Sequence, residues 1–374
     1  MATEVTDLLP RHARTLLRLE DLISRSKVGE RLATERELSK KFDVSRETIR
    51  KAMRTLLEKG VLESRQGSGT YVRKKIPAAA KKIQAARLLG VSVPTIKWPY
   101  IASLVSGMER SARECGYRIA LTHDEGVPGR QLPQIESMLE AGVDGLLLFL
   151  DRDNVVRPEY QAFFKSMTGR PEKIVLVDRW VPGIDLPCVM SDTEAAVCEL
   201  AGRLIHSGRK KIAVLSWGPE AGIAEENRMK GFIRGLRENG LKGAPVLHAA
   251  LGYSESQETS ARGVVGRWIR EARGKLPFDA ILSFFDSMAL GAFLALKDAG
   301  LKVPEDVALT GFDHLSPEVY RSLGLELTTV EQPWEKIGEE AARRLVARIE
   351  GRAEEEGPVR HSLLPTKLVP GKSG

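Results

Sequence analysis

The chain has 374 residues, of which 42% are apolar and 29% are charged, so it is long enough for two or three domains with sizeable cores. No apolar run is long enough to cross a bilayer, and the first residues lack the charged-then-apolar pattern of a secretory signal. Both observations favour a cytoplasmic protein. The three cysteines (Cys115, Cys188 and Cys198) show no CxxC spacing, which argues against a metal or redox role.

The excess positive charge is confined to one part of the chain. The whole sequence carries 57 Lys and Arg against 50 Asp and Glu, and its first 76 residues hold 18 of the former and 11 of the latter. The remaining residues contain 39 of each. The whole excess of +7 therefore lies in the N-terminal segment, which predicts a polyanionic partner for that segment alone.

The N-terminal segment is predicted to begin with a helix over residues 8–25. A second helix, a tight turn and a third helix follow from Thr34 onward. Thr34 and Glu37 have the spacing of a capping box, in which the hydroxyl accepts a free backbone N–H and the glutamate returns to the capping residue. Ser45 is placed to cap the third helix in a similar way.

The third helix has two distinct faces. The residues that recur at helical spacing as a buried stripe are Ile49, Met53, Leu56 and Leu57. Arg46, Arg50 and Arg54 are spaced four residues apart on another face. A capped helix N-terminus that bears arginines can enter a DNA major groove and contact guanine edges or phosphates. A cationic helix face that is only solvated would carry the same arginines. The elements that follow this helix decide whether it is a DNA-contacting face or a solvated one.

Two short β-prone segments follow this helix. Gly60 is well placed to end the helix, and residues 61–65 and 70–73 flank the glycine-containing turn at residues 66–69. This arrangement predicts a β-hairpin. A helix-turn-helix followed by a hairpin is a winged helix-turn-helix, and this order of elements favours DNA binding.

Residues 10–73 resemble the DNA-binding domain of the GntR family, through the run GERLATERELSKKFDVSRETIRKAMRTLLEKGVLESRQGSGTYV. One departure is Ala33-Thr34, where proline-serine is usual. In that family DNA is contacted by the arginine of the ERE run, the start of the recognition helix, the arginine four residues later and the wing tip. The resemblance therefore implies DNA contacts at Arg36, Ser45, Arg46, Thr48, Arg50, Gln66 and Gly67.

The rest of the chain has a different pattern. Residues 74–86 are rich in alanine and lysine and are predicted to be a linker. From residue 87 to 374, apolar strands alternate with amphipathic helices, which predicts an α/β fold with parallel sheets, in two lobes. The predicted strands are Leu88–Val93, Tyr117–Leu121, Gly145–Leu150, Lys173–Val177, Cys188–Ser191, Ile212–Ser216, Ala280–Ser283 and Val307–Thr310. Predicted helices include Ile101–Glu114, Ala195–His206, Arg228–Asn239 and Met288–Ala299.

Residues just after these strands are candidate ligand contacts, because open α/β sheets bind ligands beyond the carboxyl ends of their strands. The candidates are Trp98, Trp180, Trp217, Asp151, Asp178, Arg179, Asp192 and Asp286. Aromatic faces suit the C–H-rich face of a sugar or a planar base, and charged groups hold hydroxyls. Each has a structural alternative, since a strand-end aspartate often caps the next helix and a tryptophan often belongs to the core.

Residues 87–370 resemble the effector domain of the LacI/GalR family, which shares its fold with type I periplasmic sugar-binding proteins. The resemblance rests on runs such as IVLVDRWVPGIDLPCVMSD, FFDSMALGAFLALKDAGLKVPEDVALTGFDH and LTTVEQPWEKIGEEAARRL. It implies ligand contacts at Tyr100, Asp151, Arg179, Asn227, Arg228, Phe232 and Asp286. The sequence departs from the family at Val197, where many members carry arginine. A GntR-type head on such a body resembles bacterial arabinose-type repressors.

Together these patterns predict a homodimeric, ligand-responsive transcription factor that is released from operator DNA by a small molecule, a sugar in the first instance. An activator, or a repressor that needs its ligand, would have the same sequence features. A sugar-binding receptor that binds no DNA is disfavoured by the basic head. The sequence contains no HExxH, Walker-type or GxSxG run, and its six histidines are scattered along the chain. Both observations argue against an enzyme. No cofactor or metal is expected.

Overall fold

The structure is a computed structural model. It describes residues 15, 16, 18–20, 22, 23, 26–42, 44–65, 68–74, 87–127, 129–167, 173–218, 222–241, 246–251, 256–352 and 361–374, with the backbone alone at 152 and 153. The predicted linker at residues 74–86, apart from Lys74, and the predicted wing-tip contacts Gln66 and Gly67 lie outside the described residues. Within the ranges described, no helix is both long and apolar enough to cross a membrane.

The N-terminal domain is a winged helix-turn-helix. Its elements are helices α1 (Glu35–Phe42) and α2 (Arg46–Glu58) and strands β1 (Leu62–Arg65) and β2 (Gly69–Val72), which pair antiparallel as predicted. The described residues between 15 and 23 are helical. Leu19 and Ile23 from this segment are fully buried in one cluster with Ile49 and Leu56 of α2. The small core of this domain therefore fixes α2 on the first helix.

The predicted helix signals are confirmed in this domain. The Glu37 backbone N–H donates to Thr34 Oγ1 at 3.3 Å, and the Thr34 N–H donates to Glu37 Oε2 at 2.7 Å, which is the reciprocal capping box. Ser45 caps α2 by accepting the Thr48 N–H at 3.2 Å. Gly60 follows α2 in the left-handed conformation, with φ +66°, a conformation that glycine adopts without a steric cost.

The remaining chain alternates strands and helices through two lobes. In chain order the strands are β3 (Leu88–Val93), β4 (Arg118–His123), β5 (Gly145–Leu148), β6 (Ile174–Val177), β7 (Cys188–Ser191), β8 (Ile212–Ser216), β9 (Leu247–Ala250), β10 (Ala280–Ser283), β11 (Ala308–Thr310), β12 (Thr329–Glu331), β13 (His361–Leu364) and β14 (Lys367–Val369). The helices are α3 (Pro99–Glu114), α4 (Gln131–Ala141), α5 (Arg152–Val155), α6 (Pro158–Met167), α7 (Thr193–His206), α8 (Ile223–Glu238), α9 (Gln257–Glu271), α10 (Asp286–Asp298), α11 (Pro317–Ser322) and α12 (Trp334–Ile349).

Each lobe is built on a parallel sheet with helices on both faces. The first lobe has the strand order β4-β3-β5-β6-β7-β13, and the second has β9-β8-β10-β11. In both sheets the order reverses beside the first strand of the lobe, β3 or β8. Such a reversal opens a crevice at the carboxyl ends of the strands, where ligands bind in doubly wound folds.

The alternation of side chains along the strands explains the two-faced packing. In the first lobe, Val91 and Leu147 face the core under α3 and α12, whereas Leu146 and Leu148 face the core under α4 and α6. The second lobe repeats this pattern, with different strand residues packed on α9 and α10 and on α7 and α8. Because both faces are covered, the strands are continuous apolar runs, and this is why they could be predicted closely.

The chain crosses between the lobes three times. It leaves the first lobe after β7, returns to it between β12 and α12, and leaves it again between β13 and β14, which pairs antiparallel with β12. Three connections of this kind form a hinge between the lobes. They also bring residues from distant parts of the sequence to the space between the lobes.

Most predicted strands and helices agree with the structure to within two residues. The largest difference is α8, which begins at Ile223 rather than at the predicted Arg228. Strands β9, β12, β13 and β14 were not predicted. Each has only three or four residues, and all four include half-buried or exposed positions, so they lack the continuous apolar run that identifies the central strands.

Helices α3 and α12 are in close contact through two glycines, which gives a stability prediction. A Cβ added at Gly338 would overlap the carbonyl oxygen of Leu104, and one added at Gly107 would overlap that of Glu335. Gly338→Ala should therefore force the helices apart and lower the free energy of unfolding by about 1–3 kcal/mol. Urea denaturation of the purified protein measures this change.

Gly263 in α9 is the matched control for this prediction. An added Cβ there would meet no atom within 4 Å, so Gly263→Ala should stabilise the helix by about 0.5–1 kcal/mol. Equal effects of the two substitutions would contradict the close packing of α3 against α12.

Candidate functional site

The predicted DNA contacts lie at the N-terminus of α2 and on α1. Arg36, Ser45, Arg46 and Arg50 are exposed, and Thr48 is half-buried beside Ser45, with their hydroxyl oxygens 2.8 Å apart. The cap therefore fixes the start of α2 while leaving its arginines accessible. This geometry is what insertion of a helix into a major groove requires.

Arg50 is held by a neighbouring acid. Its Nη2 donates to Glu35 Oε2 at 3.2 Å, and both side chains are exposed. An exposed ion pair of this kind contributes about 0–1 kcal/mol, so a phosphate or a base edge can replace the glutamate at little cost. Glu35 thus positions the guanidinium of Arg50 without withdrawing it from solvent.

A cavity of about 370 Å³ lies between the two lobes, at the ends of the strands predicted to carry ligand contacts. Its charged lining residues are Asp178, Arg179, Arg228 and Asp313, and its aromatic lining residues are Trp98, Tyr100, Trp217, Phe285 and Trp334. The cavity lies within the range of volumes typical of small-molecule sites.

Arg228 of α8 is the centre of the charged cluster in the second lobe. Its Nη2 lies 3.7 Å from Asp313 Oδ1, and both side chains are almost fully buried. Its Nη1 donates to the Phe284 carbonyl, and its guanidinium lies 4.4 Å from the ring centre of Phe285 and 4.1 Å from that of Phe312. Its Nε is buried and has no hydrogen-bond acceptor among the described residues, which leaves a donor for a ligand.

Asp313 follows β11 and accepts a hydrogen bond from Gln332 Nε2 at 2.5 Å. Burial raises the pKa of Asp313 to about 6, although Arg228 and Gln332 both oppose the shift. At neutral pH the group is therefore a carboxylate that can accept hydrogen bonds from hydroxyls. Asp313 has a backbone φ of +106°, a conformation that costs a residue with a side chain about 1–3 kcal/mol and often marks a functional site.

The first lobe contributes a second arginine–aspartate pair. Arg179 Nη2 donates to Asp178 Oδ2 at 3.0 Å, and the two side chains are 18% and 12% exposed. Asp178 also has a left-handed backbone, with φ +68°. The Nε of Arg179 is buried and has no acceptor in the part of the chain that the structure describes. Each lobe thus brings one cation and one carboxylate to the cavity.

The structure brings only some of the predicted ligand contacts together. Tyr100, Arg179 and Arg228 line the cavity, whereas Asp151, Asn227, Phe232 and Asp286 are outside its lining. Phe232 is buried in the core of the second lobe, and Asp151 is buried with its backbone N–H directed to Gln131 Oε1. Ligand contacts for these four residues stay a prediction.

Asp286 has a network of its own at the start of α10. It is fully buried, its Oδ1 accepts the Thr329 hydroxyl at 2.5 Å, and its Oδ2 accepts the Leu315 N–H at 2.7 Å. Burial raises the pKa of Asp286 well above its usual value. These bonds tie the loop after β11 to β12, and so Asp286 supports the segment that carries Asp313.

The remaining residues that the sequence suggested as ligand contacts lie partly in the cavity lining and partly in structural positions. Trp98 and Trp217 line the cavity, whereas Trp180 stacks on His361 with ring centres 5.0 Å apart. Asp192 caps α7 by accepting the Ala195 N–H, which is the structural alternative considered above. Val197, where the LacI/GalR family often has arginine, is fully buried in the core.

Sequence reasoning missed several lining residues, among them Gln257, Phe285, Ser287, Asp313, Gln332 and Trp334. Asp313 could have been found, because it follows a predicted strand in the same way as Asp178. Gln332 and Trp334 lie at a crossover between the lobes, and nothing in the local pattern marks a crossover. The cysteines are free, and the described residues contain no cluster of three or more potential metal ligands.

Asp124 in the first lobe gives a pH prediction. It is fully buried, its Oδ1 accepts the Gly126 N–H at 2.8 Å, and its Oδ2 has no hydrogen-bond partner among the described residues. Burial raises the pKa of Asp124 from 3.8 to about 6. The native state therefore favours the protonated form, and this stabilisation is present below pH 3.8 and lost as the pH rises through about 6.

Asp124→Asn removes the buried charge and should raise the unfolding free energy at pH 7.5 by on the order of 2 kcal/mol. The gain should almost vanish at pH 4. Thermal unfolding at the two pH values measures it, with Glu305→Gln as the control at an exposed acid. A gain of the same size at both pH values would contradict the raised pKa.

Comparison with known proteins agrees with the two-part architecture. Residues 13–72 match the family described as bacterial regulatory proteins, gntR family, and residues 201–374 match the periplasmic binding protein-like domain. A crystal structure of a regulatory protein of the LacI family from Chloroflexus aggregans has a TM-score of 0.64 and 23% identity, over 77% of this chain and 98% of that one. This likeness shows the fold of the two-lobed part.

Curated relatives also span most of the chain. The arabinose metabolism transcriptional repressor of Geobacillus stearothermophilus is 26% identical over 87% of this chain and 87% of its own length. The ribose operon repressor of Escherichia coli K12 is 27% identical over 73% of this chain and 78% of its own. The chain therefore joins a GntR-type helix-turn-helix domain to a type I periplasmic-binding-protein-like domain, and its curated relatives are transcriptional repressors.

Proposed function

We propose that the protein is a ligand-responsive, DNA-binding transcriptional repressor that acts in the cytoplasm as a homodimer. Residues 1–73 would bind operator DNA, residues 74–86 would link the domains, and residues 87–374 would bind a sugar and form the dimer. The observation that carries this proposal is that one chain holds both a capped, arginine-bearing recognition helix and a charged and aromatic cavity between two hinged lobes.

The DNA contacts would be divided between bases and backbone. Arg46 and Arg50 at the start of α2 would contact base edges in the major groove. Arg36 and the wing tip at Gln66 and Gly67 would hold phosphates and the minor groove, while Ser45 and Thr48 would contact the backbone near the helix start. The concentration of excess charge in the first 76 residues supports this assignment.

Ligand binding would control DNA binding through closure of the lobes. A ligand held by Arg179 of one lobe and Arg228 of the other stabilises the closed arrangement of the three crossovers. Closure changes the distance between the two DNA-binding domains of a dimer, so ligand and operator affect the affinity of each other equally. The names of the curated relatives, repressors of arabinose metabolism and of a ribose operon, support a sugar-responsive repressor.

Selection of DNA from a random-sequence library tests the proposed function. The full-length protein should enrich one sequence with two-fold related halves, and sedimentation should show two protomers on each duplex, since a dimer of helix-turn-helix domains matches the symmetry of its site. If repeated rounds enrich no common sequence, the DNA-binding function proposed here is wrong. Enrichment of an asymmetric site bound by one protomer would remove the homodimer from the proposal.

A further inference from the structure

We propose that the outer face of the wing holds DNA phosphates through Arg31 and Arg65, which are not among the recognition-helix or wing-tip contacts. This inference rests on the proposed function, because it adds a second contact surface to the same DNA-binding domain. It follows from the arrangement of charged side chains around the turn at residues 66–69. The two arginines raise the affinity for DNA of any sequence and do not select one.

The two-stranded wing is extended by one more segment of the chain. Strand β2 pairs with β1 on one side, and on its other side Tyr71 forms a bridge with Arg31. The Leu32 N–H also donates to the Thr70 carbonyl at 2.8 Å. Because side chains alternate between the two faces of extended segments, the two faces of this small sheet carry different residues.

Only the outer face of this sheet is open to a partner. The inner face carries three apolar side chains that are buried in the domain core, those of Leu32, Leu62 and Val72. The outer face carries four polar or charged side chains that are exposed or half-buried, those of Arg31, Glu63, Arg65 and Tyr71. Of the two faces, DNA can therefore contact the outer one.

Arg65 is positioned on this face by two neighbours. Its Nε and Nη2 donate to Glu63 Oε1 at 2.8 and 2.6 Å, and its guanidinium lies 4.4 Å from the ring centre of Tyr71. More than half of the Arg65 side chain is still exposed. An exposed ion pair is weak, so a phosphate oxygen can replace Glu63 as the partner of Arg65.

Arg31 lies over the residue that is directly opposite Arg65. Arg65 and Gly69 are partners across the hairpin, and a Cβ added at Gly69 would be 2.9 Å from Arg31 Nε. The glycine therefore leaves the space that the Arg31 guanidinium occupies. As a result, two guanidinium groups from different segments lie over neighbouring positions of the sheet.

Both arginines lie beside the turn that is proposed to enter the minor groove. Arg65 directly precedes this turn, and Gly69 ends it. The minor groove is only about 6 Å wide, so groups next to an inserted turn face the phosphates that line the groove. Arginine binds phosphate oxygens through charge-assisted hydrogen bonds. Contacts of this kind hold the protein on DNA without reading its sequence.

The salt dependence of DNA binding by the full-length protein tests the inference. The probe is a duplex of arbitrary fixed sequence, titrated at salt concentrations from about 50 to 200 mM. Each phosphate contact contributes about 0.9 to the slope of the logarithm of affinity against that of salt. The double variant Arg31→Ala with Arg65→Ala should lower this slope by about 1.8 for each bound domain. Over this range its affinity should then fall about 12-fold less than that of the unchanged protein.

Three further variants make the test specific to charge on the outer face. Glu63→Gln removes an acid from this face and should strengthen DNA binding by more than about twofold. Arg31→Lys with Arg65→Lys should keep most of the slope, because counterion release depends on charge. Arg113→Ala is the matched control: it removes an arginine from an exposed ion pair on α3 of the body and should change neither slope nor affinity.

The outcomes separate this inference from the proposed function. An unchanged slope in the double alanine variant, or no gain in Glu63→Gln, would show that the outer face does not contact DNA. The same loss of slope in the lysine and alanine variants would mean that the arginines only support the fold of the wing. Both results would leave the proposed function intact if one operator sequence is still selected. The arbitrary duplex needs no operator, so a lowered slope would support the inference even if selection failed.

Discussion

Replacement of Arg46 by alanine is expected to abolish sequence-specific DNA binding while the two-lobed body stays folded. A bidentate contact from arginine to a base pair contributes about 1–3 kcal/mol, and a homodimer on a two-fold site loses two of them. The expected loss is therefore about 2–6 kcal/mol, or roughly 30-fold to more than 10,000-fold in the dissociation constant. Arg50→Ala should have a similar effect, because the Glu35 pair that positions it is exposed.

The measurement is a titration of the selected duplex with each variant, at fixed salt. Arg113→Ala is the matched control: it removes the same charge from an exposed ion pair on α3 of the body, and it should leave DNA affinity within about twofold of that of the unchanged protein. Unchanged affinity in both Arg46→Ala and Arg50→Ala would show that α2 does not contact the bases.

The second large effect is expected at Arg228. In Arg228→Ala the carboxyl group of Asp313 stays buried without its cation, and breaking a buried pair in this way costs about 3–5 kcal/mol. The ligand also loses a hydrogen-bond donor among the charged residues that line the cavity. We expect a lower thermal unfolding temperature and no stabilisation by any ligand that binds the unchanged protein, with DNA affinity retained.

Two further variants make this prediction specific. Arg234→Ala, on the same helix, breaks a partly exposed pair with Glu194 and should cost at most about 1 kcal/mol. Arg228→Lys keeps the charge but not the planar guanidinium that stacks on Phe285, so it should fold more stably than Arg228→Ala and still bind ligand weakly. Full ligand-induced stabilisation in Arg228→Lys and Arg228→Ala would exclude Arg228 from the site.

The sequence predicts most of the fold for a clear physical reason. Central strands such as β5 and β8 are covered on both faces, so each is an unbroken apolar run whose length matches a strand. The cap residues Thr34 and Ser45 act within three residues of themselves, and local chemistry of this kind is visible in any single sequence. The short strands β12 to β14 have neither an unbroken apolar run nor a local capping residue, so the sequence did not predict them.

The ligand cavity could be predicted only in part, because its residues come together through tertiary structure. Asp178 and Arg179 follow β6 directly, and Trp98 lies in the loop after β3, so the strand-end rule identified them. Gln332 and Trp334 reach the cavity because the chain crosses between lobes there. The stacking of Arg228 on Phe285 joins α8 to the end of β10, and no spacing in the sequence encodes that contact.

The position of Asp286 illustrates the limit of a resemblance. Its place in the FFDSMA run implies a ligand contact, whereas its carboxylate bonds to Thr329 and to the Leu315 backbone. A residue that holds the loop of Asp313 in place would affect ligand binding without lining the cavity. Such a residue can be identified only when its hydrogen-bond partners are known.

The central claim is that one molecule couples a ligand cavity to a DNA-binding helix. The most direct measurement is the affinity of the protein for its selected duplex with and without a saturating compound, together with the affinity of that compound for the free and the DNA-bound protein. We predict that the compound weakens DNA binding, and that DNA weakens binding of the compound by the same factor. A compound that binds the free and the DNA-bound protein equally tightly would contradict the account, because equal affinity for two states shifts neither of them.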